Sequence, residues 1–109
     1  MTPEVITLCG STRFKDLFDE WNKKLTLEGN AVFSCGCWFQ KTGEEKGLPE
    51  VDEETKRRLD EVHKIKILHS DSIFVLNPGG YIGESTKSEI EFAKRWGKKV
   101  RYLEGVTDA

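Results

Sequence analysis

The sequence contains no apolar run near the roughly 20 residues that span a bilayer. Its start, Met1-Thr2-Pro3-Glu4, has neither a basic stretch nor a signal-peptide core, so a cytoplasmic location with no membrane association is expected. Cysteine is sparse. Cys9, Cys35 and Cys37 make an odd number without framework spacing, which excludes a disulfide scaffold and suits a reducing compartment. No sign of charge dominates either: 17 basic and 19 acidic residues are mixed along the chain and leave a formal charge of −2. That balance gives no general pull toward polymeric nucleic acid, so phosphate binding has to be local. Repeats, low-complexity tracts and linkers are missing as well, and 109 residues leave room for one domain over 1–109.

What the chain does have is alternation. Val5-Ile6-Thr7-Leu8-Cys9 is apolar and β-branched, ends at Gly10, and predicts a buried strand. From Phe14 the period becomes helical, with Phe14, Leu17, Phe18, Trp21 and Leu25 on one face and Gly29 as the stop. A second strand is expected over 31–35 and a long irregular loop over 36–50. Asp52 then caps a charged helix whose apolar stripe is Leu59, Val62, Ile65 and Leu68. Ser72-Ile73-Phe74-Val75-Leu76 reads as a strand covered on both faces, and Asn77-Pro78-Gly79-Gly80 breaks it. A helix to Trp96 and a strand at 100–103 complete the order. This β-α-β-α-β-α-β alternation predicts an α/β fold: a small flavodoxin-like or Rossmann-like three-layer sandwich with a four-stranded parallel sheet in spatial order 2-1-3-4. In such sheets ligands sit beyond the carboxyl ends of the strands where the order reverses, here between the first and third strands.

The two loops leaving those strands hold the candidate binding residues. In the first, Gly10 allows a tight exit, Ser11 and Thr12 offer hydroxyls, and Arg13 offers a guanidinium suited to phosphate or carboxylate. The plainer alternative is a Ser/Thr helix cap beside a solvated arginine. In the second, Asn77, Gly79, Gly80 and Gly83 let backbone approach a ligand, Tyr81 can stack on a base or act as a lid, and Ser85 and Thr86 stand where the next helix begins. The glycine spacing fits neither a P-loop nor a dinucleotide fingerprint.

Glu89 carries two competing expectations. With Thr86 as the cap it completes a capping box, a structural task. Otherwise it faces the crevice from the first turn, kept ionised by the helix dipole and available to attack or stabilise a sugar cation. His63 can point into the pocket as acid, base or donor, although a histidine on a charged helix more often faces solvent. Asp60 lies in the same region, and Asp71 is expected to cap the turn into the third strand. No metal ligand set and no cofactor are expected: His63 and His69 are six apart on opposite faces, and Cys35-Gly36-Cys37 lacks CxxC spacing. Cys9 and Cys35 read as buried strand residues and Cys37 as a partly exposed thiol. Trp38 and Phe39 can wall a base pocket or an oligomer interface.

The segments Cys9-Gly10-Ser11-Thr12-Arg13-Phe14, Val75 through Thr86, and Ser88-Glu89-Ile90-Glu91-Phe92-Ala93 with Gly97-Lys98 resemble the nucleoside 2-deoxyribosyltransferase-like superfamily, in particular its small bacterial and phage members. That resemblance implies cleavage of an N-glycosidic bond in a nucleoside or nucleoside 5′-monophosphate. It places the nucleophile at Glu89 and a 5′-phosphate site at Gly10, Ser11 and Arg13, with Ser85 at the start of the catalytic helix. It also implies a homodimer. The family's aspartate on the preceding helix falls at His63 here, which leaves its role open or passes it to His63 or Asp60. Pro78-Gly79-Gly80-Tyr81 followed by a helical glutamate is similar to the signature of lonely-guy-type phosphoribohydrolases, with a longer spacing. Three readings stand: an N-glycosidase or deoxyribosyltransferase, a non-catalytic nucleotide or nucleotide-derived-signal binder, and a small α/β protein whose loops are structural.

Overall fold

The computed structural model describes residues 3–36, 38 and 50–105. The expected loop over 36–50 therefore lies largely outside the described residues, as do Cys37 and Phe39. Four strands and three helices alternate: β1 (Val5–Gly10), α1 (Lys15–Leu27), β2 (Ala31–Phe33), α2 (Glu53–Leu68), β3 (Ser72–Leu76), α3 (Glu84–Arg95) and β4 (Lys99–Tyr102). The strands form one all-parallel sheet in the order β2-β1-β3-β4, as the alternation predicts. Short 3-10 turns at Thr12–Phe14 and Pro78–Gly80 follow β1 and β3.

Side-chain parity divides the sheet into two faces. Ile6 and Leu8 of β1 pack with Leu76 of β3 against Phe18 and Leu25 of α1, where Trp21 stacks on Phe74 at 4.8 Å between ring centroids. Cys9, Ile73 and Val75 point the other way, to Ile67 of α2 and to Ile90 and Ala93 of α3. A three-layer α/β sandwich results, with α1 alone on one side. The two central strands meet tightly at their carboxyl ends. A Cβ on Gly10 would lie 3.0 Å from the Leu76 carbonyl oxygen, so only bare backbone fits at this corner.

Polar staples hold β1 from its other end. Asp71 does not cap a turn. Its Oδ2 accepts from the Val5 amide at 2.8 Å, tying β1 to the start of β3. Thr7 and Ser70 share a buried hydroxyl contact of 2.5 Å.

The stripe expected to seat α2 is not its buried face. Val62, Ile65 and Leu68 remain 44%, 54% and 39% exposed, and the helix turns His63, Ile67 and the adjacent Ser70 inward instead. The reason is the sheet surface beneath: Thr7, Cys9 and the Leu8 carbonyl offer polar partners that His63 and Ser70 satisfy and a leucine could not. Asp52 does cap α2, accepting from the Thr55 amide at 2.7 Å.

Candidate functional site

Three elements converge at the carboxyl ends of β1 and β3. Parity sends Cys9 toward α2 and α3. On α2, Lys56, Asp60, His63 and Ile67 recur at helical spacing on one side, and on α3 the buried stripe is Thr86, Glu89, Ile90 and Ala93. Glu89 thus occupies the inward face of its helix beside the cleft, only 7% exposed.

Its helical position differs from both sequence expectations. α3 begins at Glu84 with Gly83 as its N-cap and no side-chain cap, so Thr86 lies inside the first turn. No capping box forms, and Glu89 lies in the second turn. Nor does the helix dipole settle its ionisation. Burial pushes the carboxyl up from an ordinary 4.5 to about 7, seconded by the charge of Asp60 and opposed by a hydrogen bond from Cys9 and by Lys64.

His63 is buried rather than solvent-facing. Its Nε2 lies 3.0 Å from the Leu8 carbonyl oxygen, 3.7 Å from Cys9 Sγ and 3.8 Å from Glu89 Oε1. Because a carbonyl only accepts, Nε2 carries the proton and donates it to Leu8. Burial, then the charge of Lys66, lower its pKa from 6.5 to about 4 against that hydrogen bond. The contact with Glu89 is therefore no ion pair at neutral pH, and His63 is a neutral donor bound to the Leu8 carbonyl. Cys9 is fully buried, and its thiol is held well above its ordinary value by burial first and by the Glu89 carboxylate second.

The first loop reaches the cleft as expected. Gly10, Ser11, Thr12 and Arg13 all line it. Ser11 caps the 3-10 turn rather than α1, its Oγ accepting from the Arg13 amide at 3.3 Å. The Arg13 guanidinium lies 4.7 Å above the ring of Tyr81, and Phe14 meets that ring edge-on, so Tyr81 joins the two loops. From the second loop, Tyr81, Gly83, Ser85 and Thr86 border the cleft.

Asn77, Gly79 and Gly80 do not line it. Asn77 is fully buried; its Nδ2 donates to the Glu104 carbonyl and its Oδ1 accepts from the Glu104 amide. The Gly79 amide donates to the Glu104 carboxylate, and Gly79 adopts a φ of 64°, open to glycine. These residues clamp the loop to the segment after β4, an attachment 25 to 27 residues away that no local pattern shows.

Asp60 lines the cleft as the sequence allowed, whereas Lys56 and Lys66 were missed as cleft residues. Lys56 Nζ reaches Ser85 Oγ at 3.5 Å and Asp60 at 3.8 Å, while Lys66 donates to the Ser34 carbonyl at 2.8 Å. Their spacing from His63 was the available signal: positions 56, 60 and 63 share one helical face. Comparison with protein-family models, curated proteins and solved structures finds no match for the chain. The site therefore has to be read from its own chemistry. It combines a buried carboxyl, a neutral imidazole, a thiol and a rim with Arg13 and Lys56. Among the described residues no helix is long and apolar enough to cross a membrane.

Proposed function

We propose that this chain cleaves the N-glycosidic bond of a nucleoside or nucleoside 5′-monophosphate, with Glu89 as nucleophile. The observation that carries this reading is a glutamate released from capping, buried, and lining a cleft at the strand-order reversal. In its ionised form the Glu89 carboxylate attacks C1′ as the base departs, giving a glycosyl ester. Water then adds its hydroxyl to C1′ and its proton ends on the departed base, regenerating Glu89; an acceptor base in place of water gives transfer. The Cys9 thiol donates to the carboxylate, and His63, bound to the Leu8 carbonyl, stands 3.8 Å from it. Arg13, with Ser11, Thr12 and Lys56 on the same rim, supplies the donors for a 5′-phosphate.

Base release from a panel of nucleosides and 5′-monophosphates, followed by liquid chromatography with and without an acceptor base, tests the reading. Release from no substrate overturns it. Thermal stabilisation by the same compounds would then favour a nucleotide-binding module. One feature points that way: His63 is neutral and committed to Leu8, so it offers no imidazolium to protonate the departing base.

If Arg13 holds the phosphate, Arg13→Ala is expected to raise KM for a monophosphate roughly tenfold, the worth of one charge-assisted contact, and to leave the nucleoside KM within about twofold. Equal losses on both substrates would remove Arg13 from that role. A second copy of the chain is the proposed partner, docking on the exposed Val62, Ile65 and Leu68 of α2 beside the cleft. Ile65→Glu is expected to convert a dimer to a monomer in sedimentation analysis; an unchanged mass would place the interface elsewhere.

A further inference from the structure

We propose that Cys9, His63 and Glu89 form a three-ligand site for a borderline-soft divalent metal ion, zinc above all, whose remaining coordination position opens to the cleft. The donor set is the first ground. A thiol sulfur, an imidazole nitrogen and a carboxylate oxygen are the three side-chain donors that zinc takes, and each comes from a different rigid element, β1, α2 and α3. Geometry is the second. Ions held at ordinary zinc distances of about 2.0–2.3 Å in a tetrahedron have donor–donor edges of roughly 3.3–3.8 Å. The Cys9 Sγ to His63 Nε2 separation is 3.7 Å, His63 Nε2 to Glu89 Oε1 is 3.8 Å, and all three donor atoms lie within 4.8 Å of one another. Closing them on an ion requires the imidazole to turn from the Leu8 carbonyl, which Nε2 meets at 3.0 Å.

Access is the third. His63 and Glu89 line the cleft, so an ion enters from its floor and a water or substrate atom can complete the shell. Binding is balanced by proton release. The Cys9 thiol gives up its proton to solvent, as does Glu89 where it is protonated. His63 Nε2 yields its lone pair to the ion, its proton appearing on Nδ1, and the hydrogen bond to the Leu8 carbonyl is relinquished. The imidazole is already neutral, as a ligand must be. This inference stands apart from the glycosidase reading but shares Glu89 with it, since a bound ion takes the carboxylate that would attack C1′. Zinc is accordingly expected to inhibit base release.

The test is metal binding by the full chain, without nucleoside. Chelator-washed protein is titrated with Zn²⁺ against a chromophoric chelator and with Co²⁺ in the near-ultraviolet, while base release is measured separately on the metal-free protein. The expected result is one equivalent of either ion, with a cobalt–thiolate charge-transfer band. Cys9→Ser should abolish that band. Glu89→Gln and His63→Gln should each weaken zinc by at least the roughly 10- to 100-fold that losing an outer partner of a metal site costs. Cys35→Ser, which alters the other described thiol at the cleft, should leave band and affinity unchanged. Thermal melts establish that each variant is folded, and Glu89→Gln keeps the test open if Cys9→Ser is not. Absence of binding to the folded wild-type chain, a band that follows Cys35, or affinity unchanged in Glu89→Gln would each overturn the site. Absence of base release from the metal-free protein, with metal binding as expected, would instead count against the glycosidase reading alone.

Discussion

Glu89→Gln is expected to abolish base release and, in the same protein, to strengthen the fold at alkaline pH. The carboxamide cannot form the glycosyl ester, so turnover should fall by on the order of 10³-fold or more. The stability gain follows from the raised pKa. Folded Glu89 holds a proton between about pH 4.5 and 7 that the unfolded chain has released. Its contribution to stability is thus complete below 4.5 and lost as pH rises through about 7. A neutral glutamine suffers no such loss, so the variant should match the wild type near pH 4 and exceed it by on the order of 3 kcal/mol at pH 8. Urea denaturation at the two values measures this directly, and equal stability at pH 8 would mean that the carboxylate is better solvated than its burial indicates.

His63 runs in the opposite sense. With its pKa lowered to about 4, its contribution is complete above its ordinary 6.5 and lost as pH falls through 4. Between about pH 4.5 and 6.5 the two slopes oppose each other, giving a nearly level wild-type stability. Glu89→Gln should unmask the histidine limb there. The same ionisation governs the proposed reaction: kcat/KM should rise with pH and level off above about 7, where the attacking carboxylate is formed.

Phe18→Ala is expected to cost about 3–5 kcal/mol, the second large effect. Phe18 is fully buried on the α1 face, packs edge-on against Trp38 at 5.2 Å, and lies beside the Gly10 backbone where β1 meets β3. Truncation removes the ring that presses this corner closed, and the helix cannot collapse into the space while Trp21 stays stacked on Phe74. Domains of this size hold only ~5–15 kcal/mol in total, so the melting temperature should drop by on the order of 15 °C or more. A drop of only a few degrees would show that α1 repacks freely.

The sheet was legible because its signals are local. The runs at Val5–Cys9 and Ser72–Leu76 are apolar without interruption, and the glycines at 29 and 97 end helices through positive φ. The candidate site was legible only in part. Gly83, Glu84, Ser85 and Thr86 include several acceptable helix starts, and the sequence pointed to Ser85 and Thr86, whereas packing of Thr86, Glu89, Ile90 and Ala93 against the sheet puts the start at Glu84. Asn77 has the composition of a ligand loop, and its real partner, Glu104, lies far along the chain. On α2 the apolar residues misled. Hydrophobic periodicity pointed to Val62, Ile65 and Leu68, while the inward face is set by polar groups on β1 that periodicity does not register.

The central position of β1 has a consequence for synthesis. β1 leaves the ribosome before either strand it pairs with, and its larger partner, β3, arrives only at Ser72–Leu76. Until then Asp71 and Ser70 are not there to fasten Val5 and Thr7, and one edge of the strand stays open with Ile6 and Leu8 unburied. The cleft is later still, since the loop after β3 is fastened by Glu104. A nascent chain therefore has α3, with Glu89, complete before the loop beside it is fastened, and binding of a ligand in the cleft reports that later fastening.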